Sequence, residues 1–258
     1  MHAVLGQRSA RLSALGASCV VAAGIIAGSA PARSTLLAPT TSPGATGRVE
    51  GTVIISRAVV ARRPVFRIYA DATPGSQPPD RARPDSITEL ANVVIYLEGD
   101  GLTDPTTAGG SERRTMEQRD EQFVPHVLPV TRGTRVAFPN ADDIYHNVFS
   151  LSKAAAFDLG RYPTGQSRER QFNTPGTVQV FCHIHSDMAA TVLVLANRFF
   201  AVPTANGRFA IDSIPAGDYS IVGWHERVKP SPRRIHVGTG ETTRVDFNIP
   251  VPPAPGKQ

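Results

Sequence analysis

The run Cys182-His183-Ile184-His185-Ser186-Asp187-Met188 sets a thiol, an imidazole and a thioether within seven residues, directly after the strand-like stretch Thr177 to Phe181. Those donor types are the ones a mononuclear electron-transfer copper centre uses: two imidazoles and one thiolate in a plane, with a weak methionine sulfur at longer range. His185 supplies one imidazole, so a second histidine must come from elsewhere in the chain. His146, in Asp143-Ile144-Tyr145-His146-Asn147-Val148-Phe149-Ser150, is the best placed.

Each donor has its own chemistry. A Cys182 thiolate gives an electron-rich bond, and a bound metal keeps it deprotonated even when buried. Neutral imidazole nitrogens of His146 and His185 complete the plane. Met188, a soft and poor donor, tunes the reduction potential rather than anchoring the ion. A donor set that serves both Cu(I) and Cu(II) moves little on redox change, which favours electron transfer over catalysis.

The cysteine count supports a metal. Only Cys19 and Cys182 occur, and residues 1–32 are expected to be removed. That segment carries Arg8 and Arg11, no acidic residue, an apolar stretch from about Leu12 to Ala27, and Ala30-Pro31-Ala32, the layout of a cleavable signal peptide cut after Ala32. Its apolar stretch is short for a membrane span, an uncleaved anchor being the alternative. The expected location is therefore periplasmic or secreted, with no stable membrane span after cleavage. In such an oxidising compartment cysteines normally pair. A lone Cys182 is buried and inert, paired between chains, or bound to a metal, and only the last explains the histidine and methionine beside it.

Of the 258 residues, about 226 remain after cleavage, enough for two small β domains or one large one. Loss of Arg8 and Arg11 takes Lys+Arg from 27 to 25 against 22 acidic residues, a net charge of about +3. That is too weak a charge for a nucleic-acid partner, and the arginine pairs at 62–63, 113–114 and 233–234 read as solvated surface.

The elements that must position the donors are strands. Apolar alternation runs through Val49-Gly51-Val53-Ile55, Val93-Ile95-Leu97, Val178-Val180-Cys182, Phe209-Ile211 and Val245-Phe247-Ile249, each bounded by Gly, Pro or Asn. The chain is expected to be all-β. Ala154-Ala155-Ala156 allows one helical turn, stopped by Gly160 and Pro163. Phe123 to Val130, Arg132-Gly133 and Thr134 to Asn140 read as strand, turn, strand, with Gly133 free to take positive φ. Loops are expected at 71–87 and 99–113, a flexible leader at 33–46, and a disordered Pro-rich tail at 251–258.

The block 112–198 resembles a cupredoxin of the plastocyanin and amicyanin type. Cys182-x-x-His185-x-x-Met188 has the short ligand-loop spacing of amicyanin, and His146-Asn147-Val148 is similar to the first-ligand segment of plastocyanin. The resemblance implies a Greek-key β-sandwich, one copper ion held by His146, Cys182, His185 and Met188, and an unidentified redox partner protein. It also implies that Asn147 ties the ligand loop down from just outside the donors, with its backbone N–H near the thiolate. A wider run, through Phe123, Phe181-Cys182-His183-Ile184-His185 and on to Trp224-His225, resembles secreted methylamine-utilisation-like proteins.

Asn206 to Ile221, with Gly207-x-Phe209 and Pro215-x-Gly217-x-Tyr219, resembles the carboxypeptidase regulatory-like, transthyretin-like sandwich. Gly47 to Val53 and Ala91 to Gly99 resemble its opening strands. Residues 47–100 and 199–250 are thus expected to form a smaller, discontinuous second sandwich with the copper domain inserted, which close domain termini permit.

Other readings compete. Zinc would make no use of a thioether. Cys182-His183 resembles the last copper motif of multicopper oxidases, but Phe181 stands where those enzymes carry a second histidine, so no oxidase or other enzyme activity is expected. His126 and Met116 are spare potential ligands that read first as structural or surface residues, His225 and His236 have no partners in the sequence, and Asp142-Asp143 reads as a turn. A non-redox copper-storage protein, or a β-sandwich adhesion or docking protein, is the alternative function.

Overall fold

Alternating apolar residues become strands throughout the computed structural model, which describes residues 46–56, 89–102, 112–230 and 232–249. The expected signal peptide with Cys19, almost all of the leader, the 71–87 loop and the 251–258 tail lie outside the described residues.

The chain opens with β1 (Thr46–Ile55) and β2 (Val94–Glu98). The central block contributes β3 (Arg113–Thr115), β4 (Glu117–Arg119), β5 (Gln122–Val124), β6 (Val127–Thr131), β7 (Arg135–Pro139), β8 (His146–Ser152), β9 (Ala155–Tyr162), β10 (Ser167–Gln171), β11 (Gly176–Phe181) and β12 (Ala189–Leu195). After it come β13 (Phe200–Ala201), β14 (Arg208–Pro215), β15 (Gly217–Trp224), β16 (Arg233–Val237), β17 (Thr242–Arg244) and β18 (Phe247–Ile249). The protein is all-β.

The central block builds a five-stranded sheet, β6-β12-β11-β8-β9, and a three-stranded one, β10-β7-β3, with the β4–β5 hairpin beside them. Between the sheets lies a core that includes Phe138, Val148, Tyr162, Phe172, Val178, Val180 and Val192, together with Met116, Cys182 and Met188. The strands on either side of this block pair with each other. β1 lies between β14 and the parallel strands β17 and β18, and β2 lies between β13 and β15. They enclose their own core of Val49, Val53, Ile95, Leu97, Ile211, Ile214, Ile221 and Phe247. Gly51 is required here, because a Cβ on it would collide with the Val245 carbonyl.

Pro215-Ala216-Gly217 carries the chain from β14 in one of these sheets to β15 in the other, and the Tyr219 hydroxyl donates back to the Pro215 carbonyl at 2.9 Å.

Strand alternation also joins the two halves. On β12, Ala190, Val192 and Val194 face the central core, while Leu193 and Leu195 face away. They meet Val127 of β6, Val94 of β2 and Trp224 of β15 in a third apolar cluster. β12 is therefore buried on both faces, which is why it reads as a nearly unbroken apolar run. The described residues belong to one compact unit.

The structure corrects one local expectation and places another. Ala155-Ala156 are not helical: they begin β9, paired with Ser152 and Leu151 of β8 across a tight turn. Gly133 does take φ 90°, but β6 and β7 form no hairpin. β6 pairs in parallel with β12, and β7 pairs with β3 and β10, so the Arg132-Gly133 turn crosses between sheets.

Candidate metal centre

Strand ends deliver the candidate donors to one pole. His146 is the first residue of β8, Cys182 follows the last residue of β11, and Met188 precedes the first residue of β12. β11 is the common neighbour: Phe181 lies opposite Phe149 of β8 on one side and Ala189 of β12 on the other. The intervening loop is closed by its backbone, because the Cys182 N–H donates to the Met188 carbonyl at 3.1 Å and the Met188 N–H to the His185 carbonyl at 3.0 Å.

The side chains converge. Cys182 Sγ lies 4.0 Å from His146 Nδ1 and 3.8 Å from His185 Nδ1, and the two Nδ1 atoms are 3.1 Å apart. Among the described residues this is the one group of three or more metal-binding side chains, its donor atoms all within 4.8 Å. Cys182, His146 and Met188 are buried and His185 is half-buried. Cys182 has no disulfide partner.

This arrangement fits a metal ion. Two imidazole nitrogens that each approach one ion to about 2.0–2.1 Å stand roughly 3–3.5 Å from each other, which the Nδ1 pair already satisfies. A thiol and two imidazoles brought together, with a thioether buried in the same core, are also the donor chemistry of soft copper rather than of magnesium or calcium.

A ring of polar contacts fixes the donors from outside. Asn147 Oδ1 accepts the His183 N–H at 3.2 Å, and its Nδ2 donates to Asp158 Oδ1 at 2.7 Å, so one buried amide ties β8, β9 and the ligand loop together. His183 points outward, its exposed ring stacked on Phe149 with centroids 3.7 Å apart. Phe181 packs against the same Phe149 at 5.8 Å. Tyr162, opposite His146 on β9, is wholly buried. Its hydroxyl accepts from Gln118 Nε2 at 2.6 Å and donates to the Phe138 carbonyl at 2.7 Å, and burial pushes its pKa far above the usual tyrosine value.

Asp142 has a place that its sequence context did not reveal. Its Oδ2 lies 2.7 Å from His146 Nε2. Burial acts to raise the Asp142 pKa, but the Glu121 N–H, the His146 ring and the Asp120 N–H outweigh it and hold the carboxyl below its usual range. An aspartate four residues before a candidate ligand histidine was the available signal. The turn donors at 120–121 had none, because they come from a separate hairpin.

The remaining histidines lie apart from this group. His126 Nε2 contacts both carboxylate oxygens of Glu226 at 3.0 Å, joining the central block to the segment after β15. His225 is buried, with Nε2 2.9 Å from Glu89. His236 pairs with exposed Asp218 at 2.8 Å, and Met116 is part of the central core.

No family model matches the sequence, and no curated protein does. Among solved structures, part of the chain superposes on the copper-containing nitrite reductase of Thermus scotoductus SA-01, at 25% identity over 31% of this chain and 22% of that one, with a TM-score of 0.30. A purple cupredoxin of Nitrosopumilus maritimus matches at 21% identity over 33% of this chain and 99% of that one, TM-score 0.29. A reduced amicyanin variant matches at 19% identity over 39% and 98%, TM-score 0.31. The chain thus spans about a fifth of the nitrite reductase and nearly all of the two small proteins. At such TM-scores the likeness is partial, and no property of those proteins transfers to this chain on its strength.

Proposed function

We propose that this chain is a periplasmic or secreted type 1 copper protein that passes single electrons between partner proteins, with one copper ion held by His146, Cys182, His185 and Met188. The observation that carries the reading is the approach of the Cys182 thiol to the Nδ1 atoms of two histidines, at 4.0 and 3.8 Å, with Met188 buried in the same core as Cys182.

Copper bound there would supply a one-electron couple. The chain's own contribution is to hold nearly the same donors for both oxidation states. His146, Cys182 and Met188 are locked in a packed core that resists rearrangement, and Asn147 pins the loop that carries His185. Burial also keeps water from the thiolate. His185, half-buried beside exposed Ile184, is the donor closest to the surface and the route by which an electron leaves.

Carriage is favoured over oxygen reduction because the described residues hold one donor group and Phe181 occupies the position a cluster histidine would need. Residues 112–198 are read as the copper domain. Residues 47–100 and 199–250 are read as a transthyretin-like docking or structural sandwich, supported by the pairing of β1 and β2 with β13–β15, β17 and β18. Among the described residues no helix is long and apolar enough to cross a membrane.

Titration with Cu(II), followed by visible absorption and EPR, tests the central statement. Intense thiolate-to-copper absorption, reversible reduction, and loss of both in Cys182→Ser are expected. A colourless protein under copper excess overturns the redox reading and leaves the non-redox binding protein. A mature N-terminus at Arg33 in the exported fraction tests the location.

A further inference from the structure

We infer that Asp142 is a positioning residue for the copper site: it fixes His146 as a ligand through Nδ1 and strengthens that nitrogen as a donor to the oxidised ion. This inference rests on the copper reading above and adds a residue to it that is not itself a ligand.

The carboxylate is held from three sides. Its Oδ1 accepts the Asp120 N–H at 2.6 Å, and its Oδ2 accepts the Glu121 N–H at 2.9 Å while facing His146 Nε2 at 2.7 Å. Both turn amides reach it because Asp120 and Glu121 adopt left-handed conformations, φ 52° and 53°, in the two-residue turn between β4 and β5. Two successive N–H groups directed at one anion form a small anion-binding concavity.

The segment carrying Asp142 is pinned as well. The Asp142 N–H donates to Asn140 Oδ1 at 3.0 Å, and the Thr164 hydroxyl donates to the Asp142 carbonyl. Buried Asn140 in turn donates to the Ile144 carbonyl at 2.8 Å and the Tyr162 carbonyl at 3.2 Å.

A carboxylate already accepting two amides has no proton to offer, so the His146 contact requires the ring to donate from Nε2. Nδ1 then carries the lone pair and points at Cys182. At a Nδ1–Nδ1 separation of 3.1 Å to His185, at most one of the two facing nitrogens carries a hydrogen. An anionic acceptor on Nε2 makes the imidazole a stronger base, and a stronger base favours Cu(II) over Cu(I).

The test uses the mature chain as wild type, Asp142→Asn and Asp143→Asn, the last removing the same charge from the exposed neighbouring position. In metal-free wild type, ring-nitrogen NMR is expected to show His146 protonated on Nε2 and bare on Nδ1, a pattern lost in Asp142→Asn. On Cu(II) titration, Asp142→Asn is expected to lose roughly 10–100-fold in affinity. Its Cu(I) affinity falls less, so its reduction potential rises, while Asp143→Asn stays close to wild type.

A wild-type His146 protonated on Nδ1 overturns the inference, as does an Asp142→Asn potential equal to wild type. Equal shifts in the two variants also overturn it, since they would reflect bulk charge. A wild type that never binds copper removes the copper reading itself, a result distinct from any of these because the metal-free NMR still reports the Asp142–His146 contact.

Discussion

The Nδ1 atoms of His146 and His185 stand 3.1 Å apart although 39 residues separate the two histidines in the chain. β8 and β11 are adjacent strands, and their ends open on the same pole, so the contact follows from sheet order rather than from local sequence. Single replacement of either histidine by alanine should weaken Cu(II) binding by at least roughly 10-fold and erase the trigonal EPR signature, because two donors cannot hold the plane.

Met188 is expected to separate affinity from potential. It is buried in the central core beside Cys182, and Met188→Leu conserves volume, so folding stability should change by less than about 1.5 kcal/mol. Loss of the thioether removes weak donation to the oxidised ion and should raise the reduction potential while the visible absorption persists. Cyclic voltammetry beside the copper titration reads both.

Asn147 links three segments through one amide. Asn147→Ala should cost about 1–3 kcal/mol in chemical denaturation, since it leaves the His183 N–H without its acceptor. The freed ligand loop should also surrender copper faster to a chelator, which a stopped-flow competition would measure.

Glu112 supplies a pH dependence. Burial acts to raise its pKa, but hydrogen bonds from Thr131, Arg114 and Thr134 outweigh it and hold it below the usual glutamate range. A carboxyl depressed in the folded state stabilises fully above its unfolded value and loses that contribution as pH falls through the folded one. Wild type should therefore exceed Glu112→Gln in stability at neutral pH, and the gap should close as pH falls through the lowered folded-state value in urea denaturation.

Trp224, the single tryptophan, lies in the apolar cluster that joins the central block to the flanking sheets. Its fluorescence should unfold together with the far-UV circular dichroism, as one transition. Trp224→Ala should cost about 3–5 kcal/mol and lower the midpoint accordingly. Two separated transitions in wild type would show that the halves unfold independently.

The sequence by itself determined the chemistry and the class of fold. Donor types are a property of side chains, so Cys182, His185 and Met188 announced a soft-metal group within one short stretch, and period-two alternation announced strands at Val49, Val178 and Val245. The Pro215-x-Gly217-x-Tyr219 motif was legible for the same reason, being local, and the hydrogen bond that the folded chain forms within it spans four residues.

What needed the tertiary structure was everything set by long-range pairing. The turn between β6 and β7 was legible because turn chemistry is local, but not their partners: β12 and β3 claim them for different sheets. Ala155-Ala156 satisfy helix propensity as well as strand, and pairing with β8 decides between them. Asp142 looked like an ordinary turn residue. Only the folded chain brings the amides of Asp120 and Glu121 to one side of its carboxylate and His146 to the other, because hydrogen bonds between separate loops leave no periodicity in a sequence.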